Sequence, residues 1–211
     1  MRIMLLLCMF ILLMFAASVD SKTVIVAIGD SDVYGDTRPT LLGHKNTIFG
    51  GWVTRLGMRL EKDFPGQYEV VNKGISGDTA QGIFNRLEKD VIFYQPGIII
   101  IEIGDNDADG IAAIAPPSIT ANDYGTVMDR TFIYLEQKLP KASIFVMGLI
   151  APLEKYQKLA GYDKFFQINP QDVIDAEYEE YNKVLREVTI KYGHFYIDNW
   201  ASWPHGVEER W

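Results

Sequence analysis

The chain has 211 residues, with 28 acidic and 20 basic side chains and a formal net charge of −8 at pH 7. This length suits one domain with a sizeable core, and no linker or internal repeat divides it. An acidic chain without clustered lysine and arginine is a poor candidate for binding nucleic acid or anionic membranes. The three histidines are far apart in the sequence, so no pattern of metal ligands is visible.

Residues 1–18 are predicted to be a secretory signal peptide. Arg2 provides a basic start, an apolar run follows from Ile3 to Phe15, and small residues at 16–18 offer a cleavage site. The run is short for a membrane span, which needs about 20 apolar residues, so an uncleaved anchor is the weaker alternative. The mature domain would be 19–211, secreted or periplasmic, and free of disulfides because Cys8 is the only cysteine.

Predicted strands and helices alternate through the rest of the chain. Apolar runs predict strands at 23–28, 68–71, 98–103, 144–149 and 195–197. Helical spacing predicts helices at 52–64, from Asp78 (with Gln81 as a capping box) to Tyr94, at 121–139 and through 174–192. The run Ile98–Ile101 is apolar on both faces, as in parallel strands covered by helices on two sides. The order predicts a three-layer α/β/α sandwich with a five-stranded parallel sheet.

Three short motifs follow the first three predicted strands. They are Gly29-Asp30-Ser31, then the segment Asn72–Thr79, then Gly104-Asp105-Asn106-Asp107. Each one alone suits an ordinary turn. Because loops at the carboxyl ends of parallel strands converge on one crevice, a serine hydroxyl, a glycine amide and an asparagine side chain should meet there. Such a set can form a nucleophile with an oxyanion hole.

In this order the motifs resemble the blocks of the SGNH/GDSL hydrolase superfamily over residues 24–107, with 75–87 similar to its lysophospholipase/thioesterase branch. The resemblance implies a flavodoxin-like fold. It also implies hydrolysis of carboxylic esters or thioesters of lipids or acylated sugars, through an acyl-serine intermediate and without cofactor or metal. Ser31 would be the nucleophile, and the oxyanion would be held by the amides of Ser31 and Gly74 and by the side chain of Asn106.

Two positions depart from that family's pattern. Asp32 stands where an aliphatic residue or threonine is usual, and its carboxylate would disfavour an anionic substrate. The family's Asp-x-x-His motif after the last strand is replaced by Ser202-Trp203-Pro204-His205. By position His205 is the expected base, and Asp198 is the nearest substitute for the acid. His194 is expected to be a helix-end or core histidine, and His44 lies in the loop after Ser31.

Other interpretations stay open at this point. The chain could be a protein of the same fold that lacks its base and binds a ligand, or a chain cut short before its true Asp-x-x-His motif. The segment Asp30–Val33 also resembles the first motif of haloacid-dehalogenase-type phosphatases, with Asp30 as nucleophile and Mg²⁺ required. However, Asn72–Thr79 has no role there and no convincing lysine motif is present. The long loops at 108–118 and 151–173 should border the crevice and influence substrate choice.

Overall fold

The computed structural model describes residues 22–35, 51–108, 119–150 and 171–199. The predicted signal peptide, most of both long loops, His44 and His205 lie outside these ranges. In the described part of the chain, no helix has the length and apolar character needed to cross a membrane.

Five parallel strands form a single sheet in the order β2-β1-β3-β4-β5. The strands are β1 (Thr23–Gly29), β2 (Tyr68–Gly74), β3 (Ile98–Glu102), β4 (Ser143–Met147) and β5 (Phe195–Ile197). The helices are α1 (Ser31–Tyr34), α2 (Trp52–Asp63), α3 (Ala80–Asp90), α4 (Ala121–Lys138) and α5 (Gln171–Lys191), with a 3₁₀ turn at Ile92–Tyr94. This confirms the predicted parallel α/β fold, and the strand order is that of the flavodoxin-like doubly wound sheets.

The sheet separates two apolar clusters. The larger one joins α3, α4 and α5 to one face of the sheet, where Ile99, Ile101 and Val146 are almost completely buried. The smaller one joins α1 and α2 to the other face through Val33 and Val53. Burial on both faces explains why the central strand is apolar at every position from 98 to 101.

The start of α3 differs from the prediction. Thr79, and not Asp78, is the N-cap, and its hydroxyl accepts the N–H of Gly82 at 3.2 Å. The Asp78 carboxylate instead accepts the N–H of Thr79 at 2.9 Å and pairs with Arg86. The predicted capping box was therefore wrong, because a salt bridge within the fold uses the carboxylate that would have capped the helix. The helix also ends at Asp90, before the 3₁₀ turn.

Two strand ends that position the motifs also differ from the prediction. β2 continues to Gly74, so polar residues of the second motif are part of the sheet, and Gly74 pairs with Gly29 of β1. β3 ends at Glu102, which pairs with Gly29 from the other side. The first two motifs and the end of β3 therefore meet at Gly29.

Candidate active site

Ser31 begins α1, directly after a tight turn at Asp30 that follows β1. Asp30 caps the short helix by accepting the N–H of Asp32 at 3.1 Å, and Ser31 is the first helical residue. Backbone N–H groups at a helix start have no partner within the helix, so the Ser31 amide is suited to bind an anion. Gly29 is required before the turn because a Cβ there would lie 1.9 Å from the Glu102 carbonyl oxygen.

The second motif packs directly against this turn. The N–H of Ile75 donates to the Gly29 carbonyl at 3.0 Å. Asn72 Nδ2 donates to the Val33 carbonyl at 2.8 Å, and Asn72 Oδ1 accepts the N–H of Gly74 at 2.9 Å. A Cβ on Gly74 would lie 2.0 Å from the Tyr34 nitrogen. Gly74 therefore permits close packing against α1, and its N–H, predicted to bind the oxyanion, already has an acceptor.

Gly77 is a backbone donor that the sequence reasoning did not single out. It has a left-handed conformation, with φ of +79°, and no atom lies within 4 Å of where a Cβ would be. Within the described ranges, no acceptor is bonded to its N–H. Its position could have indicated such a donor from the sequence, because Gly77 lies just before the start of α3, in the loop that leaves the carboxyl end of β2.

Asn106 connects the third motif to the first two. Its Nδ2 donates to the Asp78 carbonyl at 2.8 Å and lies 3.4 Å from Asp30 Oδ2. The neighbouring Asp107 carboxylate accepts the N–H of Ala80 at 2.9 Å, at the start of α3. The structure thus brings Ser31, the glycine loop and Asn106 to one edge of the sheet, as the order of the motifs predicted.

A group of carboxyl side chains surrounds the Ser31 turn. Burial, reinforced by the charge of Asp32, raises the pKa of Asp30 to about 7 and that of Glu102 to about 8. Burial also raises the pKa of Asp105 well above its usual value, and that of Asp107 to about 6. At neutral pH Glu102 is therefore mostly protonated, Asp30 is close to half protonated and Asp107 is mostly ionised. Glu102 also accepts the Trp52 Nε1–H at 2.7 Å, which fixes its side chain against α2.

The predicted base and acid are placed as follows. His205 and His44 lie outside the described residues. His194 lies before β5, at the opposite edge of the sheet from Ser31, and packs against Phe132 with ring centroids 5.0 Å apart. Burial lowers its pKa, in line with the predicted core role. Asp198 follows β5 and pairs with Arg186 of α5.

Within the described ranges, no group of His, Cys, Asp or Glu side chains is arranged to hold a metal ion.

The sequence profile of the GDSL-like lipase/acylhydrolase family matches residues 27–211. Esterase TesA of Pseudomonas aeruginosa is 38% identical over 90 residues, which are 43% of this chain and 42% of that protein. An acetylxylan esterase of Geobacillus stearothermophilus is 26% identical over 180 residues, covering 83% of this chain and 75% of that protein. The chain thus spans less than half of the first relative and three quarters of the second.

Solved structures support the fold. The crystal structure of Axe2, an acetylxylan esterase from Geobacillus stearothermophilus, superposes with a TM-score of 0.62 at 23% identity over 83% of this chain and 75% of that one. A GDSL-like lipase structure from Parabacteroides merdae gives a TM-score of 0.62 at 21% identity over 83% of this chain and 77% of that one.

Proposed function

Because the chain belongs to the GDSL-like lipase/acylhydrolase family of serine ester hydrolases, we propose that it hydrolyses carboxylic esters through an acyl intermediate on Ser31. The observation that carries this proposal is the convergence of three motifs at one sheet edge. The Asn106 amide is held by the Asp78 carbonyl at 2.8 Å, next to the turn that presents Ser31. Ester cleavage by this arrangement needs no cofactor.

In the proposed reaction, the Ser31 hydroxyl attacks the ester carbonyl, and the oxyanion is stabilised by the Ser31 N–H and by Asn106 Nδ2. One hydrogen of Nδ2 stays on the Asp78 carbonyl at 2.8 Å, and the other, which makes only a long 3.4 Å contact with Asp30 Oδ2, turns to the oxyanion. Gly77 is the better candidate for a further backbone donor, since the Gly74 N–H would first have to leave Asn72. One such donor typically lowers the barrier by about 3 kcal/mol, because it acts on charge that develops only in the transition state. The tetrahedral adduct then breaks its bond to the alcohol, which leaves with the proton that the serine lost, and the acyl-serine remains. Water attacks the acyl-serine, releases the acid and restores the Ser31 hydroxyl.

The serine must lose its proton to a base, and we assign that role to His205. General-base assistance is typically worth about 10² to 10⁴ in rate. Asp198, at the carboxyl edge next to β5, is proposed to stabilise the imidazolium that forms. Its pairing with Arg186 also holds the carboxylate in place.

The proposed substrates are acylated sugars or lipids. The acetylxylan esterase aligns with 83% of this chain, which favours a short acyl group on a carbohydrate, whereas TesA aligns with only 43%. The predicted signal peptide supports an exported enzyme that meets its ester outside the cytoplasm. The loop at 151–173 has four aromatic side chains suited to contact the substrate.

The decisive experiment compares wild type with Ser31→Ala. We expect p-nitrophenyl acetate hydrolysis that EDTA does not affect, and its loss in the variant with almost no change in Tm, because Ser31 is not a core residue. A fluorophosphonate should label Ser31 in wild type, as peptide mass spectrometry would show. Labelling at another residue would refute the assignment of the nucleophile, and loss of activity in EDTA would favour a metal-dependent phosphatase. Binding of an ester without hydrolysis would favour the alternative that the protein has this fold but lacks its catalytic base and only binds a ligand.

A further inference from the structure

Arg86 on α3 contacts the ends of β1 and β2 and the residue Asp78, which together lead into the first two motifs. Its side chain is 13% exposed. Nη2 donates to the Gly29 carbonyl at 2.9 Å, and Nη1 donates to the Lys73 carbonyl at 2.7 Å. Nε donates to Asp78 Oδ2 at 2.7 Å, and Nη1 also lies 3.1 Å from Asp90 Oδ2.

The two carbonyl contacts define where the chain leaves the sheet. Gly29 and Lys73 lie at the ends of β1 and β2, one residue before Asp30 and one before Gly74. Their carbonyls lie at the last rungs of a paired ladder, where a buried carbonyl needs a donor. The Gly29 carbonyl also accepts the Ile75 N–H at 3.0 Å, so Arg86 is its second donor. A single planar guanidinium donates to both. The directions in which the Ser31 turn and the 74–77 loop begin therefore depend on the same side chain.

The contact with Asp78 extends this control to Asn106. The Asp78 carboxylate is held by Arg86, and the carbonyl of the same residue accepts Asn106 Nδ2 at 2.8 Å. Asp78 also directly follows Gly77, the candidate backbone donor. If the guanidinium is lost, Asp78 keeps its bonds to the Thr79 N–H and the Ile75 carbonyl but loses its charged partner, and both proposed oxyanion donors lose part of their common support.

We propose that Arg86 is a positioning residue that aligns the Ser31 turn, the 74–77 loop and Asn106 for oxyanion binding; this rests on the function proposed above. Arg86 itself does not contact the reacting atoms. Lysine cannot replace it, because an ammonium lacks the planar array of five donors that reaches two carbonyls and a carboxylate together.

If Arg86 only stabilised the fold through its ion pairs, removing another charge of the same network would affect the protein in the same way. Arg86 also forms part of an ion network in which Asp90 Oδ1 lies 3.6 Å from Lys73 Nζ, and that lysine lies 4.6 Å from the centre of the Tyr94 ring. This part of the network leads away from Ser31. Asp90→Asn removes its charge and leaves the Gly29, Lys73 and Asp78 contacts intact, so it serves as the matched control.

The kinetic experiment compares Arg86→Lys, Arg86→Met, Asp90→Asn and the exposed-site control Arg59→Lys. For both Arg86 variants we expect kcat to fall 10- to 100-fold with KM within about twofold of wild type, since the oxyanion forms only in the transition state. Asp90→Asn should lower Tm but keep kcat within about twofold, and Arg59→Lys should change neither. Equal kcat losses in Arg86→Lys and Asp90→Asn would overturn the proposal.

Two further measurements keep the proposal testable if Arg86→Met does not fold or the wild type lacks activity. In a double-mutant cycle, Arg86→Lys should cost clearly less in kcat on an Asn106→Ala background than in wild type, because one of the donors that Arg86 aligns is then absent. Independently of turnover, Arg86→Lys in Ser31→Ala protein should shift the NMR resonances of the Asn106 side-chain amide and the Gly77 backbone amide. Unshifted resonances would overturn the positioning role. An inactive wild type with shifted resonances would refute only the proposed function.

Discussion

Buried carboxylates occur in two neighbouring regions of this protein, and the chain treats them in opposite ways. Around Arg86, Asp78 and Asp90 face a guanidinium. Around Ser31, Asp30 and Glu102 face other carboxyl groups, and their pKa values rise to about 7 and about 8. Asp30 is as inaccessible as Asp90, with 1% and 6% of their surfaces exposed. The difference therefore lies in the partners and not in the depth of burial.

The physical reason is the cost of burying charge. An ionised carboxylate removed from water loses several kcal/mol of solvation, which the protein recovers by pairing it with a cation or avoids by keeping it protonated. The group around Arg86, with its paired carboxylates, holds the chain in place at Gly29, Lys73 and Asp78. The carboxyl groups around Ser31 have raised pKa values and can change their charge near neutral pH, next to the proposed nucleophile. One region is therefore built to position the site, and the other can make its chemistry depend on pH.

The largest expected effect on activity comes from removing the side chain of Asn106, which contacts both regions. Its Nδ2 joins the Asp78 carbonyl, on the Arg86 side, to the neighbourhood of Asp30. Asn106→Ala should lower kcat by about 10² to 10³ with little change in KM, because the donor acts mainly in the transition state. Steady-state kinetics on p-nitrophenyl acetate measure both constants. Asn85→Ala, at an exposed site on α3, is the control and should be neutral.

A change confined to KM would contradict this prediction. It would mean that Asn106 binds the substrate but does not stabilise the oxyanion.

The next effect concerns stability and tests the protonated group at Glu102. Its pKa in the folded state is raised to about 8 from an ordinary 4.5, mainly by burial. The folded state thus holds a proton that the unfolded state releases between these pH values, so the free energy of unfolding should fall as pH rises from 4.5 through 8. Glu102→Gln keeps an acceptor for Trp52 Nε1 and removes this dependence. At about 1.4 kcal/mol per pKa unit, we expect it to stabilise the protein by at most roughly 5 kcal/mol at pH 9 and to be neutral at pH 4.

Urea unfolding at several pH values measures this effect, with Glu69→Gln on an exposed position of β2 as the control. Wild type and Glu102→Gln curves that stay parallel from pH 4 to 9 would show that Glu102 ionises normally in the folded protein.

The strands and the convergence of motifs were predictable, because they depend on local patterns. Ile98–Ile101 is apolar throughout, and Ser31 and Asn106 each follow such a run. The continuation of β2 through Asn72 and Gly74 was missed because pairing with β1 stabilises polar residues that the apolar pattern excludes. The expected base, His205, lies outside the described residues and its role stays a prediction.

The contacts that hold the site could not be predicted, because they join residues that are distant in sequence. Arg86 is 57 residues from Gly29, and nothing local to either residue indicates their hydrogen bond. Glu102 lies within the run predicted as the third strand, and only the surrounding fold raises its pKa. The bond between Asn72 and Gly74 is local, but whether that amide is free depends on the rotamer that packing against α1 selects.

The smallest expected effect concerns activity and sharpens the role of Asp30. Burial and the charge of Asp32 raise its pKa to about 7, so it gains a negative charge just above neutral pH. That charge would lie 3.4 Å from the amide nitrogen proposed to bind the oxyanion, where it opposes the charge that forms in the transition state. In wild type, kcat should therefore decline a few-fold between pH 7 and 9. Asp30→Asn retains an acceptor for the Asp32 N–H and should remove most of the decline over that range. Asp63→Asn, on α2, is the control and should keep the wild-type decline. If Asp30→Asn declines as wild type does, another group causes the loss and Asp30 only caps the helix.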